Sequence, residues 1–591
     1  MVEAVRLIVW DLDETFWQGT LTEGGIRYID MHHDIVIALA HRGIMSSICS
    51  KNDLASVQRI LKQKGIWDFF IFPSINWEPK GPRLKALVEA VQLRPATILF
   101  IDDNAMNRNE ALHFLPEIQV ASDTIIPTLL EAPLLAGKPG SGLERLGQYK
   151  VMESRREAQS ASADNKAFLR ASNIQVTVEH NVEAHLDRAI ELINRTNQLN
   201  FTKRRLPEGL EEARKRLRSD LAKLDVNAGL IRVRDTYGDY GLVGLYVIFQ
   251  DGSSKQLLHY CFSCRILGMG VEAWIFEQLG RPDVKVWGEV LTDLHASTGA
   301  VDWINESGSA LSDSDDRLTG RILVRGGCDM QCIAHYLELN AEEVVGEFNI
   351  VRNKMAIRLD HLAFLQYAFE GLANEAVAEA LRVGFVAGDF RSRLADDPTR
   401  FDVCVFSFWN TANQATYSHR RLQLSVPVAL SWGDNTVDVR THNRDVLEER
   451  ATPPILLDAI EVLRGDYDFV GPSALAFSES LTLILAHIPQ SVVLIFLLAP
   501  EKVPDRQGQH VEAWRFVAQN KAIAQVVAGR ENVHLLRIED FINHSNETTD
   551  GVHFSRMVYY RVYQRIASIL RKGVHSSGCN QRPQRSAFAG L

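Results

Sequence analysis

The chain has 591 residues, of which 46% are hydrophobic and 23% charged, and its formal net charge is −10. These values predict a globular protein of roughly three or four domains, and a modest negative charge without a long basic stripe argues against nucleic-acid binding. Seven thinly spread cysteines, together with an apolar run over 491–500 that is too short to span a bilayer, predict a cytoplasmic protein without a membrane segment.

Residues 1–140 alternate short apolar stretches with helical periodicity. We expect strands at 5–10, 44–49, 69–72 and 98–102. We expect helices near 31–42, 53–64, 80–92 and 105–114. This alternation predicts a doubly wound α/β domain with a parallel sheet, in which ligands bind beyond the carboxyl ends of the strands.

The first predicted strand runs directly into a pair of acidic residues. Asp11-Leu-Asp13-Glu-Thr15 follows the apolar run Leu7–Trp10. Two carboxylates at the end of a buried strand repel each other and lose hydration, and a divalent cation offsets both costs. Mg²⁺ accepts one or two carboxylates and fills its shell with water and substrate phosphate. A strand that ends in a capped turn is the alternative, because Asp and Thr are also common turn residues.

Three further polar segments follow the other predicted strands of this region. Ser50 is expected to hold a transferring phosphoryl oxygen, and Lys80 to neutralise phosphate charge. Asp102 and Asp103 offer additional oxygen ligands for Mg²⁺. Since each segment stands at the end of a separate strand, the sequence predicts that all of them meet at one site.

This combination is what a phosphoaspartyl mechanism requires. Asp11 would attack phosphorus, and Asp13 would protonate the leaving group and then activate water. The predicted catalytic residues are Asp11, Asp13, Ser50, Lys80 and, in one interpretation, Cys49. The predicted metal ligands are Asp11, Asp13, Asp102 and Asp103. Thr15 and Asn52 are assigned to substrate binding.

Cys49 stands beside Ser50 and allows two interpretations. A cation-rich site could lower the pKa of its thiol and make it a nucleophile. Most free cysteines, however, are small buried residues, and Cys49 ends a predicted strand. Both interpretations stay open, with the structural one favoured.

A helical connector is expected at 141–173 and an α+β domain at 174–325. Asn197, Gln198 and Asn200 belong to a segment dense in amides and cations. They are expected to bind a polar ligand or, alternatively, to cap and connect helices.

A glycine loop lies between a predicted strand and a predicted helix of this second domain. It reads Arg265-x-x-Gly268-x-Gly270. Backbone N–H groups at the start of a helix can cradle a pyrophosphate, so these three residues are the predicted cofactor site.

Residues 326–378 are expected to form a helical linker, and 379–573 a second α/β domain. Its first strand is predicted at 383–387, directly before Gly388-Asp389-Phe390. Asp550-Gly-Val-His553 precedes the last predicted helix. The remaining residues, 574–591, are rich in Ser, Gly, Arg and Gln and are expected to be disordered.

The order Asp-x-Asp-x-Thr, Ser, Lys, Asp-Asp resembles the haloacid dehalogenase (HAD) superfamily. The segments Trp10–Trp17 and Cys49–Asp53, with the run Thr196–Thr202, look more narrowly like its FkbH-like branch. Proteins of that branch dephosphorylate 1,3-bisphosphoglycerate and pass the glyceryl group, through an enzyme cysteine, to a carrier-protein thiol. The resemblance therefore implies a Mg²⁺-dependent phosphatase and acyltransferase of polyketide or related biosynthesis. Its implied partners are an acyl carrier protein and a small phosphorylated acyl donor.

Two weaker resemblances concern the rest of the chain. The Arg265 loop is similar to the acyl-CoA loop of GNAT-type N-acyltransferases, which implies a carrier-bound phosphopantetheine or CoA as ligand. Asp550 and His553 resemble the Asp-x-x-His block of SGNH/GDSL hydrolases, which implies a flavodoxin-like α/β fold in which the Asp orients the His. Phe390 stands where that family has its nucleophilic serine, and Ser392 is two positions out of register. We therefore expect an inactive or binding-only domain there.

Two alternatives to the combined phosphatase and acyltransferase remain. A plain HAD phosphatase of a small phosphometabolite would use the GNAT-like part only for specificity, and Cys49 would be dispensable. A non-catalytic carrier or assembly module would not need Asp11 either.

Overall fold

A computed structural model describes residues 3–137, 143–162, 164–223, 225–251, 254–295, 301–306, 318–327, 329–432, 436–450, 452–504, 509–544, 547–548 and 552–576. Three sheets of five or six strands organise this part of the chain. No described helix combines the length and the apolar character that a membrane crossing requires.

The first region contains seven strands and four α-helices. The strands are β1 (Leu7–Trp10), β2 (Trp17–Gln18), β3 (Arg27–Tyr28), β4 (Met45–Ser50), β5 (Ser74–Ile75), β6 (Ile98–Ile101) and β7 (Gln119–Ala121). The helices are α1 (Asp30–His41), α2 (Leu54–Gln63), α3 (Lys80–Val91) and α4 (Ala105–Phe114).

Five of these strands form a parallel sheet in the order β5-β4-β1-β6-β7. β1, β4 and β6 are buried along their whole length, as expected of a parallel sheet covered on both faces. The predicted doubly wound parallel sheet is confirmed. The predicted strand at 69–72 is wrong, because Trp67–Phe69 forms a 3₁₀ turn and Phe70 makes only an isolated bridge to Ser46. The short β5 pairs with β4 instead.

Two connector helices, α5 (Glu144–Ser160) and α6 (Asn165–Ala171), lead to the second region. Its strands are β8 (Ile174–Glu179), β9 (Leu199–Asn200), β10 (Val226–Asp235), β11 (Gly238–Asp251), β12 (Ser254–Phe262) and β13 (Ile304–Glu306). Its helices are α7 (Leu186–Arg195), α8 (Leu210–Leu221) and α9 (Val271–Gln278).

The second sheet is mixed, in the order β13-β8-β10-β11-β12-β9. β8, β10, β11, β12 and β9 pair antiparallel, while β13 runs parallel to β8. Apolar residues of α5 and α6 belong to one continuous core that joins the first and second sheets. The connector therefore packs the two regions together.

The third region contains the remaining elements. Its strands are β14 (Leu318–Gly326), β15 (Ala341–Phe348), β16 (Ile350–Arg352), β17 (Met355–Ile357), β18 (Val403–Phe406), β19 (Thr416–His419), β20 (Ser425–Pro427), β21 (Ala429–Leu430), β22 (Tyr467–Val470), β23 (Val493–Leu498), β24 (Lys502–Pro504), β25 (His510–Glu512) and β26 (Val533–Arg537). Its helices are α10 (Met330–Glu338), α11 (Leu362–Glu370), α12 (Asn374–Arg382), α13 (Arg393–Asp396), α14 (Trp409–Asn413), α15 (Arg444–Glu449), α16 (Pro454–Asp466), α17 (Ala474–His487), α18 (Trp514–Val526) and α19 (Arg556–Ser576).

Its main sheet is parallel throughout, in the order β15-β14-β18-β23-β26. The chain runs from β14 outward to β15 and then crosses back past β14 to β18. This reversal of direction places a topological switch point between β14 and β18.

The sequence misplaced the start of this sheet. The predicted helical linker at 326–378 is wrong, since it contains the strands β15, β16 and β17 beside its helices. No strand forms at 383–387 either, where the chain enters a 3₁₀ turn over Ala387–Phe390. The boundaries between domains remain predictions. Of the tail predicted to be disordered, residues 574–576 belong to α19, and 577–591 lie outside the described residues.

Candidate active site

The carboxyl edge of the first sheet brings together the polar residues that follow its central strands. Trp10 pairs with Ile48 of β4 and with Ile101 of β6, so Asp11 and Asp102 begin where neighbouring strands end. The backbone N–H of Asp11 donates to the carbonyl of Ile101 at 2.9 Å. The parallel register therefore fixes the two aspartates side by side.

The ammonium group of Lys80 lies between these two carboxylates. Its Nζ is 2.7 Å from Oδ1 of Asp11 and 2.7 Å from Oδ2 of Asp102. The three side chains are only 2%, 8% and 0% exposed. Lys80 is the first residue of α3, directly after Pro79, so the start of that helix delivers the cation to the sheet edge.

Burial and charge act against each other in this triad. Burial raises the pKa of Asp11 to about 6, although the nearby ammonium of Lys80 opposes the shift. Burial alone would lower the pKa of Lys80, but the carboxylates of Asp11 and Asp102 outweigh it and raise that pKa. Lys80 is thus held as a cation, and its charge favours the ionised form of Asp11.

Backbone and side-chain donors fix the remaining oxygens of Asp102. Its Oδ1 accepts the N–H of Asn104 at 2.9 Å, and both oxygens accept the amide of Asn107 at 3.1 Å. The hydroxyl of Thr15 donates to Oδ1 of Asp103 at 3.2 Å and accepts the N–H of Asp103 at 3.0 Å. Thr15 therefore ties the loop after β1 to the loop after β6.

Asp13 is oriented by donors on both of its carboxylate oxygens. Oδ1 accepts the indole N–H of Trp17 at 2.8 Å and the N–H of Leu21 at 3.2 Å. Oδ2 accepts the amide of Asn52 at 3.1 Å. The same amide nitrogen lies 3.3 Å from the hydroxyl of Ser50, so Asn52 connects Asp13 to the end of β4.

Asn52 also presents an unused acceptor. Its side chain is 1% exposed, and its Oδ1 makes no hydrogen bond within the described structure. Buried polar atoms are almost always paired in native proteins, so this oxygen is free for a ligand that donates a hydrogen bond. This observation agrees with the assignment of Asn52 to the substrate.

Three carboxylates of this edge are close enough to share a cation. Oxygen atoms of Asp11, Asp102 and Asp103 all lie within 4.8 Å of one another. An all-oxygen set of this kind fits Mg²⁺, which prefers hard oxygen ligands. The carboxylate of Asp13, predicted as a fourth ligand, is not part of this set, because Trp17, Leu21 and Asn52 hold it.

Cys49 occupies the opposite face of β4 from Ser50, as successive strand residues do. Its side chain is fully buried in an apolar cluster with Leu7, Val9 and Met45. Burial raises the pKa of the thiol to about 12, and the cations of Arg83 and Lys80 only partly oppose this. These observations favour the structural interpretation of Cys49.

Two residues of the site were not identified from the sequence. Asn107 holds both oxygens of Asp102, and its position in the first turn of α4 was the available signal. Arg83 donates to the carbonyls of Ser50 and Asn76, both at 3.0 Å, and so locks the loop that leads to Lys80. Arg83 gave no signal, because an arginine one turn into a helix is ordinarily solvent-exposed.

The predicted polar residues of the second region divide into two groups. Asn197 and Gln198 are exposed and so accessible to a ligand. Asn200 is 1% exposed, donates to the carbonyl of Ile193 at 3.1 Å and accepts the N–H of Lys203 at 2.8 Å. Asn200 thus connects backbone segments, which was the alternative to ligand binding.

The three residues predicted as the cofactor site in the glycine loop do not lie at one site. Gly268 and Gly270 have φ values of 75° and 77°, which favour glycine, and Gly270 directly precedes α9. The guanidinium of Arg265 bonds to the carbonyl of Tyr240 at 2.8 Å and to the side-chain oxygen of Gln148. Arg265 lines a cleft to which neither glycine contributes.

The predicted nucleophile region of the third domain is structural. Phe390 packs in a core cluster with Phe364 and Phe385 rather than at a sheet edge. The Ser392 hydroxyl donates to Glu347 at 2.9 Å and accepts the N–H of Leu394, so it caps α13. The prediction failed because the first strand of this sheet is β14 and not 383–387.

A different set of polar residues lies at the carboxyl edge of the third sheet. Asp329 follows β14, Asn410 follows β18, and Asn410 donates to Oδ2 of Asp360 at 2.6 Å. Asp329 and Asp360 are 5% and 1% exposed, and each has one oxygen without a hydrogen-bond partner in the described structure. Burial raises the pKa of Asp329 to about 6, against the charge of His553. Asp550, the other predicted residue here, lies outside the described residues.

Comparisons with known proteins give only partial likenesses. No protein-family model matches the chain, and no curated protein matches it. Among solved structures, the N-terminal part of BF1531 from Bacteroides fragilis, which contains a phosphatase domain complexed with Mg, is 22% identical. That match covers 24% of this chain and 40% of the other, with a TM-score of 0.19.

Two further solved structures match over similar shares of the chain. The 3-deoxy-D-manno-octulosonate 8-phosphate phosphatase from Moraxella catarrhalis, in complex with magnesium ion, phosphate ion and KDO, is 18% identical over 27% of this chain and 93% of its own, with a TM-score of 0.17. An uncharacterised protein from Corynebacterium glutamicum is 17% identical over 23% of this chain and 98% of its own, with a TM-score of 0.17.

Proposed function

We propose that the carboxyl edge of the first sheet is the active site of a Mg²⁺-dependent phosphatase of the HAD type. The observation that carries the proposal is the position of Lys80, whose Nζ lies 2.7 Å from both Asp11 and Asp102. Burying a cation between two carboxylates, with Asp103 beside them, costs desolvation energy. Such charge clusters are concentrated at functional sites.

The residues divide the reaction between them. Lys80 holds Oδ1 of Asp11, and Oδ2 attacks phosphorus while the bond to the leaving oxygen breaks. Asp13 gives that oxygen a proton. As a carboxylate, Asp13 then takes a proton from the water that attacks the phosphorylated Asp11, which releases phosphate and restores the free aspartate.

The surrounding groups stabilise charge and position the substrate. Lys80 offers positive charge to the phosphoryl oxygens, and the hydroxyl of Ser50 offers a hydrogen bond. The unpaired Oδ1 of Asn52 would accept a hydrogen bond from a hydroxyl or other donor of the substrate. Mg²⁺ bound by Asp11, Asp102 and Asp103 would neutralise phosphoryl charge in the transition state.

The finer proposal concerns the substrate. The motifs around Asp11, Cys49 and Asn197 resemble those of FkbH-like proteins, and on that resemblance the donor is a phosphorylated three-carbon acyl compound such as 1,3-bisphosphoglycerate. The acyl group would pass to the thiol of an acyl carrier protein. The protein would then remove a phosphate in order to keep an acyl group.

The surroundings of Cys49 favour a second candidate function. A fully buried thiol whose pKa is raised to about 12 is poorly suited to carry an acyl group. A phosphatase of a small metabolite needs no such thiol. In that case the second region serves only specificity.

One experiment separates these candidates. The full chain is incubated with Mg²⁺, 1,3-bisphosphoglycerate and a carrier protein, and phosphate release and the intact masses of both proteins are measured. Phosphate release with a mass gain on the carrier supports acyl transfer, whereas release alone supports the plain phosphatase. Neither release nor mass gain would contradict both and leave a non-catalytic module.

Three variants serve as controls. Asp11→Asn should abolish release, while Asp34→Asn, an exposed aspartate on α1, should leave it unchanged. A glyceryl adduct on the enzyme that survives Cys49→Ala would exclude that thiol as the acyl carrier.

A further inference from the structure

We propose that a cleft between the first and second regions binds a small organic ligand that carries a diphosphate group. The cleft has a volume of about 860 Å³, which lies within the range of roughly 300–1,000 Å³ that is usual for small-molecule sites. It is lined by residues that precede β1 and β4 of the first sheet and by residues of the connector helix α5, the helix α7 and the β10–β11 hairpin.

The cleft lies at the opposite end of the first sheet from Asp11. Arg6, which precedes β1, and Gly43 and Ile44, which precede β4, line it. Asp11 follows β1, so about five residues of extended chain, or roughly 16 Å, separate it from Arg6. A ligand here would not compete with a phosphate at the carboxyl edge.

The charge of the cleft is strongly unbalanced. Seven arginines line it, against three carboxylates. Two of the carboxylates are already engaged: Glu191 pairs with Arg188 at 2.9 Å and Arg195 at 3.2 Å, and Asp239 pairs with Arg232 at 3.0 Å.

The other four arginines have no carboxylate within 4 Å among the residues that the structure describes. Three of them bond to neutral oxygens instead. Arg42 donates to the carbonyl of Leu130 at 2.9 Å, Arg145 to that of Gly43 at 2.9 Å, and Arg265 to that of Tyr240 at 2.8 Å. These bonds orient the guanidinium groups without neutralising them.

The electrostatics of the cleft show that these charges act on one another. Burial, followed by the charges of Arg195 and Arg145, lowers the pKa of Arg6. Burial and the charge of Arg188 lower the pKa of Arg265 to about 10. Like charges that depress one another's pKa would be stabilised by a bound anion.

A diphosphate suits these groups better than a single carboxylate does. Arginine presents its donors as a planar fork that binds phosphate oxygens in pairs. Four guanidinium groups without a described carboxylate within 4 Å match the several negative charges of a diphosphate, and the volume leaves space for an attached organic part. The phosphate contact predicted for Arg265 is thereby assigned to this cleft and not to the helix that follows Gly270.

Calorimetric titration of the full chain in the presence of EDTA tests the proposal. Inorganic pyrophosphate, ADP and CoA are the probes, and sulfate at equal ionic strength is the reference anion. The expected result is saturable binding of ADP or CoA and tighter binding of pyrophosphate than of sulfate. Binding of pyrophosphate no tighter than sulfate, or no binding of ADP and CoA, would overturn the proposal.

Variants locate the binding. Arg6→Ala with Arg145→Ala should weaken ADP or CoA binding about tenfold or more. Arg156→Ala, an exposed arginine on the same helix as Arg145 that does not line the cleft, should leave binding unchanged. An undiminished affinity in the double variant would contradict the assignment.

Two further measurements distinguish a loss of ligand binding from misfolding of the variants. The lysine pair Arg6→Lys with Arg145→Lys keeps both charges but loses the paired donors, and should bind more weakly than the wild type while melting at a similar temperature. Phosphate release by the carboxyl edge should be unchanged in these variants. Loss of release in them would contradict the separation of the two sites, whereas absence of release already in the wild type would count against the proposed phosphatase alone.

Discussion

The carboxyl edges of the first and third sheets both contain buried aspartates, but different groups bond to these aspartates at the two edges. Both sheets are parallel, and buried aspartates follow strands at both edges: Asp11 follows β1 and Asp102 follows β6, while Asp329 follows β14. At the first edge Lys80 forms ion pairs with Asp11 and Asp102. At the third edge Asp360 accepts a hydrogen bond from the neutral side-chain amide of Asn410. Burial raises the pKa of Asp11 and of Asp329 alike to about 6, and the charge of Lys80 opposes that rise at the first edge as the charge of His553 does at the third.

The first and largest test of this contrast is Asp11→Asn. An amide of the same shape cannot attack phosphorus and binds Mg²⁺ poorly, so phosphate release should fall by roughly a thousandfold or more. Release is measured under steady-state conditions with Mg²⁺. Near-normal release by Asp11→Asn would remove the first edge from the chemistry.

Lys80→Met tests the role of the cation itself. Without it, two buried carboxylates face each other, and the free energy of unfolding should drop by about 3–5 kcal/mol, with loss of phosphate release. Urea denaturation measures the stability. Lys85→Met, at an exposed position of the same helix, is the matched control and should change little. Equal effects of the two substitutions would show that the ion pairs of Lys80 are unimportant.

Asp329→Asn tests the third edge. Here we expect the substitution to raise the free energy of unfolding, whereas Lys80→Met lowers it. An unfolded aspartate has a pKa near 3.9, and in the folded protein burial raises the pKa of Asp329 to about 6. The wild type therefore loses stability through this group as the pH rises from about 4 through 6. The variant stays neutral and should be more stable than the wild type above about pH 6, by roughly 1–3 kcal/mol.

Urea denaturation of the wild type and of Asp329→Asn at pH 4 and pH 8 measures this difference. A variant that is less stable at pH 8 would show that the carboxylate of Asp329 has a favourable partner. The two edges would then be alike.

The smallest expected effect is that of Ser392→Ala. This change removes the cap of α13 and the hydrogen bonds to Glu347, and should cost about 1–2 kcal/mol of stability. No activity should change, because the hydroxyl of Ser392 is engaged with Glu347 and with the N–H of Leu394. Loss of an esterase activity in this variant, measured with a small chromogenic ester, would restore Ser392 as a nucleophile.

The same comparison shows what the sequence could predict. The first site could be predicted because its two central aspartates directly follow strongly apolar strands: Asp11 follows Leu7–Trp10 and Asp102 follows Ile98–Ile101. Strand ends of a parallel sheet meet at one edge whatever lies between them. Asn107 and Arg83 were missed because their roles depend on packing between elements.

The third sheet was misread for a related physical reason. β14 contains the apolar run Ile322–Val324 but also Arg321 and Arg325. Arg325 is buried and forms an ion pair with Glu347. Charged residues interrupt the apolar pattern by which a strand is recognised in a sequence, even where an ion pair allows them to be buried. The segment after the true first strand reads Gly326-Gly-Cys-Asp329, whereas the nucleophile block was predicted at Gly388-Asp-Phe390.

The most direct test of the central claim is to trap the phosphoryl group on Asp11. The full chain is mixed with Mg²⁺ and 1,3-bisphosphoglycerate and quenched in acid, and its peptides are analysed by mass spectrometry before and after hydroxylamine. We expect one phosphoryl group on the peptide that contains Asp11, removable by hydroxylamine and absent with EDTA or in Asp11→Asn. Phosphate release without that adduct in the wild type, or an adduct that persists in Asp11→Asn, would contradict it.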